Sequence, residues 1–185
     1  MTELKELEKH AEDARGQAGA IAEYFSTEEN WLIRFESDLK NNPRRSKEDI
    51  RKAIRLIRGR LGRTERSLNR DDIEKDIAEL GPHLPAKLRA KLTELNTPLH
   101  VALAGFVAEL SRSQGLLRQH FEELERMADV YESEKDAKRK TVELVQLTQK
   151  ANAILAEIRN SLKWVQSFTV AVGNYLQFLK FLEEL

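Results

Sequence analysis

Apolar residues that recur at steps of three and four positions restrict the fold of this chain more than any other feature. The longest run has twelve positions, from Leu144 to Leu182, and eleven of them are apolar. Residues at this spacing lie on one face of an α-helix, and that face must be buried against another element. Shorter runs of the same kind cover most of the other residues. The sequence therefore predicts an all-α protein of long amphipathic helices.

Helix-breaking residues separate these runs and set the predicted helix boundaries. Asn42-Pro43 ends the first run, because proline lacks a backbone N–H and restricts the residue before it. Gly81-Pro82 ends the second run, and Thr97-Pro98 is typical of a helix start. The predicted long helices span about residues 3–41, 46–80, 97–132 and 139–185, and a short helix spans about residues 85–95.

Capping residues add two local predictions. Ser26-Thr27-Glu28-Glu29 has the composition of a capping box, which indicates a kink or a restart near residue 26. Ser46 is a good N-cap with Asp49 three residues later, so the second helix is predicted to begin there. Glu28 is also the only position of the first apolar run that is not apolar.

Residues 132–140 leave two interpretations open. The third apolar run, extended, would reach positions 142 and 145, whereas the fourth run uses 144 and 147, so the two runs are out of phase. The segment has no core residue beyond Ala137, which favours a solvated turn between antiparallel helices. No glycine or proline marks such a turn, and the alternative is a single helix of about 85 residues, about 130 Å long.

Four long helices with short links predict an elongated up-down four-helix bundle or antiparallel coiled coil, with one short extra helix. We expect a single helical domain over residues 1–185, because this length fits one domain more comfortably than two. Heptad stripes of this length can also be buried against a second copy, so a homodimer is the alternative to a closed monomer.

Residues 44–70 carry the sharpest charge feature. They hold eleven bases against three acids, although the whole chain has no net charge. On a helical wheel, Ile50, Ile54 and Ile57 fall on one face and most of the bases fall broadly opposite. These bases are the candidate polyanion-binding or partner-binding residues: Arg51, Lys52, Arg55, Arg58, Arg63, Arg66 and Arg70.

This basic row has two interpretations. The planar fork of arginine suits phosphate and carboxylate groups, so the row predicts contact with nucleic acid, an anionic lipid or an acidic protein. Alternatively, it is a solvated helix face that is partly neutralised by the acidic first helix beside it. No aromatic residue is interleaved with the arginines, so stacking on single-stranded bases is not predicted.

The sequence has no pattern typical of a catalytic or metal site. The absence of cysteine excludes disulfides, thiolate zinc sites and a cysteine nucleophile. None of the four histidines follows a glutamate at the spacing of di-iron bundles, and His120 with Glu123 forms only a single pair. Gly59 and Gly62 match no phosphate-loop spacing. We therefore expect no enzymatic activity, no cofactor and no metal.

Residues 164–179 form the longest uncharged stretch of the chain. The stretch is shorter than the ~20 residues that span a bilayer, and polar residues dilute it. It predicts either a core helix or a membrane-contacting or partner-docking segment over residues 164–182, in which Gly173 can kink the helix or admit a close neighbour. The first residues lack the apolar core of a signal peptide, so a cytoplasmic location is expected.

These observations predict a non-enzymatic helical interaction or assembly protein, a scaffold or adaptor that acts through protein–protein contacts. The first alternative is non-specific binding of nucleic acid or another polyanion through the basic helix of residues 44–70. The second is a membrane-associating helical module through residues 164–182. A protein partner or self-association is therefore the expected contact, ahead of nucleic acid and of a membrane.

Overall fold

A computed structural model describes residues 2–57, 75 and 78–185 of this chain, and its regular structure over those residues is entirely helical. The prediction of an all-α protein is therefore confirmed. The α-helices are α1 (Thr2–Ile33), α2 (Phe35–Asn41), α3 (Pro43–Leu56), α4 (Ala86–Ser133) and α5 (Ala137–Glu184), and one 3-10 turn spans Gly81–His83.

The predicted first helix is interrupted at Arg34 and not near residue 26. Thr27 lies inside α1, where its hydroxyl donates to the carbonyl of Glu23 at 2.9 Å, so it does not cap a helix start. Arg34 has φ −97° and ψ 3°, and its N–H donates to the carbonyl of Trp31 at 3.2 Å. The interruption is thus a local tightening of the backbone that the capping-box pattern did not predict.

The junction between α2 and α3 is set by Asn42 and Pro43. Proline forces the residue before it out of the helical region, and Asn42 has φ −149° and ψ 83°. The Asn42 side chain accepts a hydrogen bond from the backbone N–H of Arg45 at 3.2 Å, so Asn42 is the N-cap. The helix therefore begins at Pro43, and the predicted start at Ser46 is wrong. Ser46 is instead buried within α3.

The predicted boundary at Thr97-Pro98 is also wrong. Pro98 lies inside α4, and the predicted short helix of residues 85–95 and the third long helix are one continuous element. Leu92 and Leu99 lie one heptad apart on either side of this point, and both are buried. Packing of that face offsets the hydrogen bond that the proline removes.

The turn between α4 and α5 consists of residues 134–136. A carboxylate oxygen of Glu134 accepts hydrogen bonds from the backbone N–H groups of Lys135 and Asp136, at 3.1 and 3.0 Å. The Asp136 carboxylate then caps α5 by accepting from the backbone N–H of Arg139 at 2.9 Å. Two carboxylates thus form a turn without glycine or proline, and the single-helix alternative does not hold.

The chain divides into two compact units. The described residues of the first unit are 2–22, 75, 78–109 and 163–185. Its core includes Leu7, Phe106, Phe168 and Tyr175, which are almost fully buried, and the rings of Phe106 and Phe168 stack with centroids 5.2 Å apart. This ring pair places α4 and α5 side by side in the first unit.

The second unit comprises residues 23–57 and 110–162 among those described. Trp31 contacts the rings of Phe35 and Phe121, each with centroids 5.9 Å away. Here α4 and α5 run antiparallel, because Arg112 pairs with Glu157 at 2.8 Å, whereas Glu123, further along α4, pairs with Lys150, which comes earlier on α5. The buried Ser113 and Ser161 hydroxyls are 3.0 Å apart.

The predicted apolar runs form the core of both units. Every position of the first run from Leu4 to Leu39 is buried, including Glu28. Ile54, Leu117 and Ile158, which represent the other three long runs, are also buried. At these described positions, the apolar side chains are covered by other parts of the same chain.

Candidate interaction surfaces

The outward face of α3 is almost entirely basic. Each exposed residue of α3 is charged, and Glu48 is the only acid among them: Arg44, Arg45, Glu48, Arg51, Lys52 and Arg55. The helical wheel placed Arg51, Lys52 and Arg55 on this outward face, as the structure does. The other predicted site residues lie outside the described part of the chain: Arg58, Arg63, Arg66 and Arg70.

One edge of this basic row is paired with acids of α4. Lys47 lies 2.9 Å from Asp129 and also contacts Glu132, and these bonds raise the pKa of Lys47, Glu132 having the larger effect. Arg51 is 3.4 Å from Glu125. The three carboxylates follow each other at steps of four and three and share one face of α4.

The sequence offered a signal for these ion pairs that was not used. Neutralisation was predicted from the acidic first helix, whereas the carboxylates that pair with Lys47 and Arg51 belong to α4. The spacing of Glu125, Asp129 and Glu132 was visible in the sequence. Which helix would face α3 was not visible, because that depends on the topology.

The opposite edge of the basic row remains exposed to solvent. The Arg44 side chain is 89% exposed and lies 3.9 Å from Glu48, at the limit of an ion pair. Lys52 and Arg55 are exposed, and neither takes part in the ion pairs found among the described residues. This edge therefore presents the most exposed cationic side chains of α3.

A buried carboxylate lies next to α3. Glu28 is only 2% exposed, and its carboxylate accepts a hydrogen bond from the indole N–H of Trp31. Burial raises the pKa of Glu28 to about 7, although the Trp31 bond and Lys52 lower it, and Asp49 raises it further. In the sequence, Glu28 is noticeable only as the one position of the first apolar run that is not apolar.

Tyr24 is the second buried titratable group beside Glu28. Tyr24, one turn earlier on α1, is buried, and its hydroxyl has no hydrogen-bond partner in the described part of the chain. Burial, and secondarily the charge of Glu28, raise the pKa of Tyr24. The Glu28 carboxylate accepts its hydrogen bond from the Trp31 indole and not from the Tyr24 hydroxyl. With a pKa of about 7, Glu28 can bind or release a proton.

His120 and Glu123 lie near each other on α4, next to Lys150 of α5. The Glu123 carboxylate binds the ammonium of Lys150 on α5, and this bond lowers the pKa of Glu123. The same carboxylate oxygen lies 3.9 Å from Nδ1 of His120. Among the described residues, no three histidine or carboxylate side chains are grouped as metal ligands. The pair predicted from its spacing is thus part of an ion pair between α4 and α5.

The exposed residues of α5 between positions 141 and 156, in the second unit, are all uncharged, whereas Lys138, Arg139 and Arg159 are exposed on either side of them. Helix α5 is described along its whole length, and its exposed residues between positions 141 and 156 share one arc of the helix. They are Thr141, Val142, Val145, Gln146, Gln149, Asn152, Ala153 and Ala156. Val142 is 56% exposed and Val145 is 51% exposed. Two valine side chains are therefore presented to solvent on an uncharged face.

This outward face has a heptad spacing of its own. Val142, Val145, Gln149, Asn152 and Ala156 follow each other at steps of three and four, and we call these five residues the outer seam. The seam is hard to detect in the sequence, because the neighbouring positions such as Leu147 and Ile154 are more apolar and form the buried stripe. The seam's signal was a second, weakly apolar and uncharged set of residues at steps of three and four beside the strongly apolar one.

Residues 164–182 contribute mainly to the core of the first unit. Eight apolar side chains of the segment are buried: Val165, Phe168, Val172, Tyr175, Leu176, Phe178, Leu179 and Leu182. Trp164, Val170 and Phe181 remain exposed. None of the described helices combines the length and the hydropathy needed to cross a bilayer. Helix α5 continues through Gly173, and no neighbouring atom lies within 4 Å of the space a Cβ would occupy there.

Comparison of the chain with protein-family models gives no match. Comparison with curated proteins and with solved structures gives no match either. Function is therefore inferred from the surfaces and side chains described above.

Proposed function

We propose that this chain is a non-enzymatic helical interaction or assembly protein, a scaffold or adaptor that acts through protein–protein contacts. The observation that carries the proposal is the uncharged outward face of α5, with Val142 and Val145 exposed on it. The centre of a protein interface is depleted in charged residues, because desolvating a charge costs more than desolvating an amide or a methyl group. This face is therefore the part of the described surface best suited to be buried by a protein.

We further propose that the long helices form an up-down four-helix bundle. Within the second unit, the proposal is supported by the antiparallel pairing of α4 with α5, as in the contact between Arg112 and Glu157. It is also supported by the contacts of Lys47 with Asp129 and of Arg51 with Glu125, which run α3 antiparallel to α4. Alternating helix directions with short links are the arrangement expected of such bundles.

The interaction function is tested by placing a charge on the uncharged face. The variant Val142→Glu/Val145→Glu should fold as the parent does, because both side chains are exposed. If the parent chain cross-links to another protein in its native source, we expect the variant not to do so. If the parent self-associates in light scattering, we expect the variant to remain monomeric. The control Val101→Glu/Val170→Glu changes two exposed valines of the first unit and should retain both. A parent chain that is monomeric and cross-links to no protein would contradict the proposal.

The second candidate function is binding of a polyanion, most simply nucleic acid without sequence preference. It is supported by the exposed bases of α3, among which Lys52 and Arg55 take part in no described ion pair. Arginine-rich faces bind phosphate, and such binding weakens steeply with salt because counterions are released.

The double variant Lys52→Glu/Arg55→Glu tests this second function. We expect it to lose binding to a short DNA duplex at low salt. The control Lys87→Glu/Arg118→Glu reverses two exposed bases of α4 and should bind as the parent does. If the parent shifts no DNA at low salt, or if both variants lose binding equally, α3 is not a polyanion site.

A membrane-associating role through residues 164–182 and a cytoplasmic location stay predictions. The three exposed apolar side chains of that segment, Trp164, Val170 and Phe181, do not favour the membrane role over contact with a protein. Flotation of the chain with anionic vesicles, compared with Trp164→Ser/Phe181→Ser, tests it directly.

A further inference from the structure

The outer seam of α5 has two ends of different size. Its amino end presents Val142 and Val145, and its carboxyl end presents Ala156, with the exposed Ala153 beside the seam. Gln149 and Asn152 lie between them. An exposed helix face that is bulky at one end and small at the other fits a second face with the opposite order.

A second copy of the same face supplies that opposite order when the two helices run antiparallel. A two-fold axis near the middle of the seam lays the valine end of one copy over the alanine end of the other. Alanine side chains let the two helices approach closely enough for the valines to be covered. A parallel pair would instead place valine on valine and leave the alanine end unfilled.

The polar centre of the seam is also complementary to itself. An amide side chain carries both a donor and an acceptor, so Gln149 and Asn152 can bind the same two residues of an identical chain. A face without charge meets its own copy without like-charge repulsion. The outward face of α3, in contrast, would oppose Arg51 and Arg55 to the same bases.

We propose that the outer seam of α5 pairs antiparallel with the outer seam of a second copy of this chain. This inference rests on the proposed interaction function and names its partner. The seam, from Val142 to Ala156, is about 21 Å long at the rise of an α-helix. A helix pair of that length buries less than the roughly 1,200–2,000 Å² of a stable protein interface. The dimer is therefore weak and forms reversibly as the concentration rises.

A pair of opposite charges at the centre of the seam tests the pairing. Gln149→Glu and Gln149→Lys each place like charges close to the two-fold axis, so each variant alone should be monomeric in sedimentation up to its solubility limit. An equimolar mixture should recover the dimer, because the charges are then opposite. The control pair Gln119→Glu and Gln119→Lys, at an exposed position of α4, should associate as the parent does, alone and mixed.

Single cysteines test the direction of the helices, because the chain has no cysteine of its own. A short bismaleimide should link a tagged Val145→Cys chain to an Ala156→Cys chain more than ten times as efficiently as it links either variant to itself. A Gln119→Cys chain should give only the background rate. Linkage of Val145→Cys mainly to itself would show a parallel pair and would overturn the proposal.

The failure of this inference differs from the failure of the proposed function. A parent chain that is monomeric throughout the concentration series overturns the self-pairing. If the parent then still cross-links to another protein and Val142→Glu/Val145→Glu does not, the interaction function holds with a different partner. If neither the dimer nor that cross-link is found, both proposals fail.

Discussion

The outward faces of α3 and α5 in the second unit differ sharply in charge, although each helix buries an apolar row. Every exposed residue of α3 is charged, whereas none of the exposed residues of α5 between 141 and 156 is, because Glu143 and Lys150 are half-buried. A charged face resists desolvation, so its ionic contacts with α4 remain at the edge, where water still reaches them. An uncharged face can be covered at low cost. The same helical pattern thus produces one surface suited to ionic contacts and one suited to close packing.

The ionisation of the buried Glu28, which lies beside α3, should have the largest effect on the free energy of unfolding. Glu28 has a pKa of about 7 in the folded chain against an ordinary 4.5, so between these pH values the folded state binds more protons than the unfolded state. Its stabilising effect is complete below about pH 4.5 and is lost as the pH rises through 7. We expect the free energy of unfolding to fall by about 3 kcal/mol over that window, at 1.36 kcal/mol per unit.

Chemical denaturation of the parent and of Glu28→Gln at pH 5 and pH 8 measures this effect. The glutamine keeps an acceptor for the Trp31 indole and cannot ionise, so the variant should lack this pH dependence and should be the more stable chain at pH 8. Equal pH dependence in both chains would show that Glu28 does not titrate in the folded state.

The contact of α5 with α4 in the first unit should give the next largest effect. A Cβ added at Gly105 would collide with the ring of Trp164, so Gly105→Ala must displace the indole. Overpacking of this kind costs about 1–3 kcal/mol, and the better helix propensity of alanine returns up to about 1 kcal/mol. We expect a net loss of stability together with a changed tryptophan emission.

Gly115→Ala is the matched control for that substitution. Gly115 is also on α4, and no neighbouring atom lies within 4 Å of the position its Cβ would occupy. The control should raise the midpoint of thermal unfolding and leave the emission unchanged. If both alanine variants stabilise the chain, the Trp164 ring does not need the space left by the missing side chain of Gly105, and the prediction is wrong.

The ion pairs at the edge of α3 should give smaller and graded effects. Lys47 is 17% exposed and binds two carboxylates, whereas Arg51 is 52% exposed and binds one. We expect Lys47→Met to cost about 1 kcal/mol and Arg51→Met about 0.3 kcal/mol, since exposed pairs are worth about 0–1 kcal/mol. Double-mutant cycles with Asp129→Asn and Glu125→Gln measure the two couplings, and added salt should reduce the second more. Equal couplings would refute the ranking by exposure.

The sequence predicted the buried faces of these helices better than their ends. A stripe such as that from Leu4 to Leu39 depends only on spacing, and burial follows the spacing closely. Whether a helix is interrupted, as at Arg34, or continues, as at Pro98, depends on what packs against it. Pro98 was read as a start because local chemistry favours it there, yet packing of Leu92 and Leu99 keeps α4 continuous.

The candidate surfaces were predictable only in part. A wheel locates Arg51 and Arg55 on an outward face, because the apolar positions of the same helix define the inward one. It does not show that Glu125 neutralises Arg51, since the two residues meet only through the topology. The outer seam of α5 was harder to find, because a weakly apolar stripe is noticeable only once the stronger stripe is known to be buried.

The smallest effect on stability is expected at the outer seam itself, where the effect on association should be largest. Val142→Gln/Val145→Gln removes two exposed valines without adding charge, and exposed substitutions change the free energy of unfolding by less than about 0.5 kcal/mol. Thermal unfolding at low concentration should therefore match the parent. Sedimentation at high concentration should show weaker dimerisation, because glutamine cannot replace the packing of valine against alanine. A marked fall in stability at low concentration would mean that the valines pack within the chain, and the contrast between α3 and α5 would then be one of polarity alone.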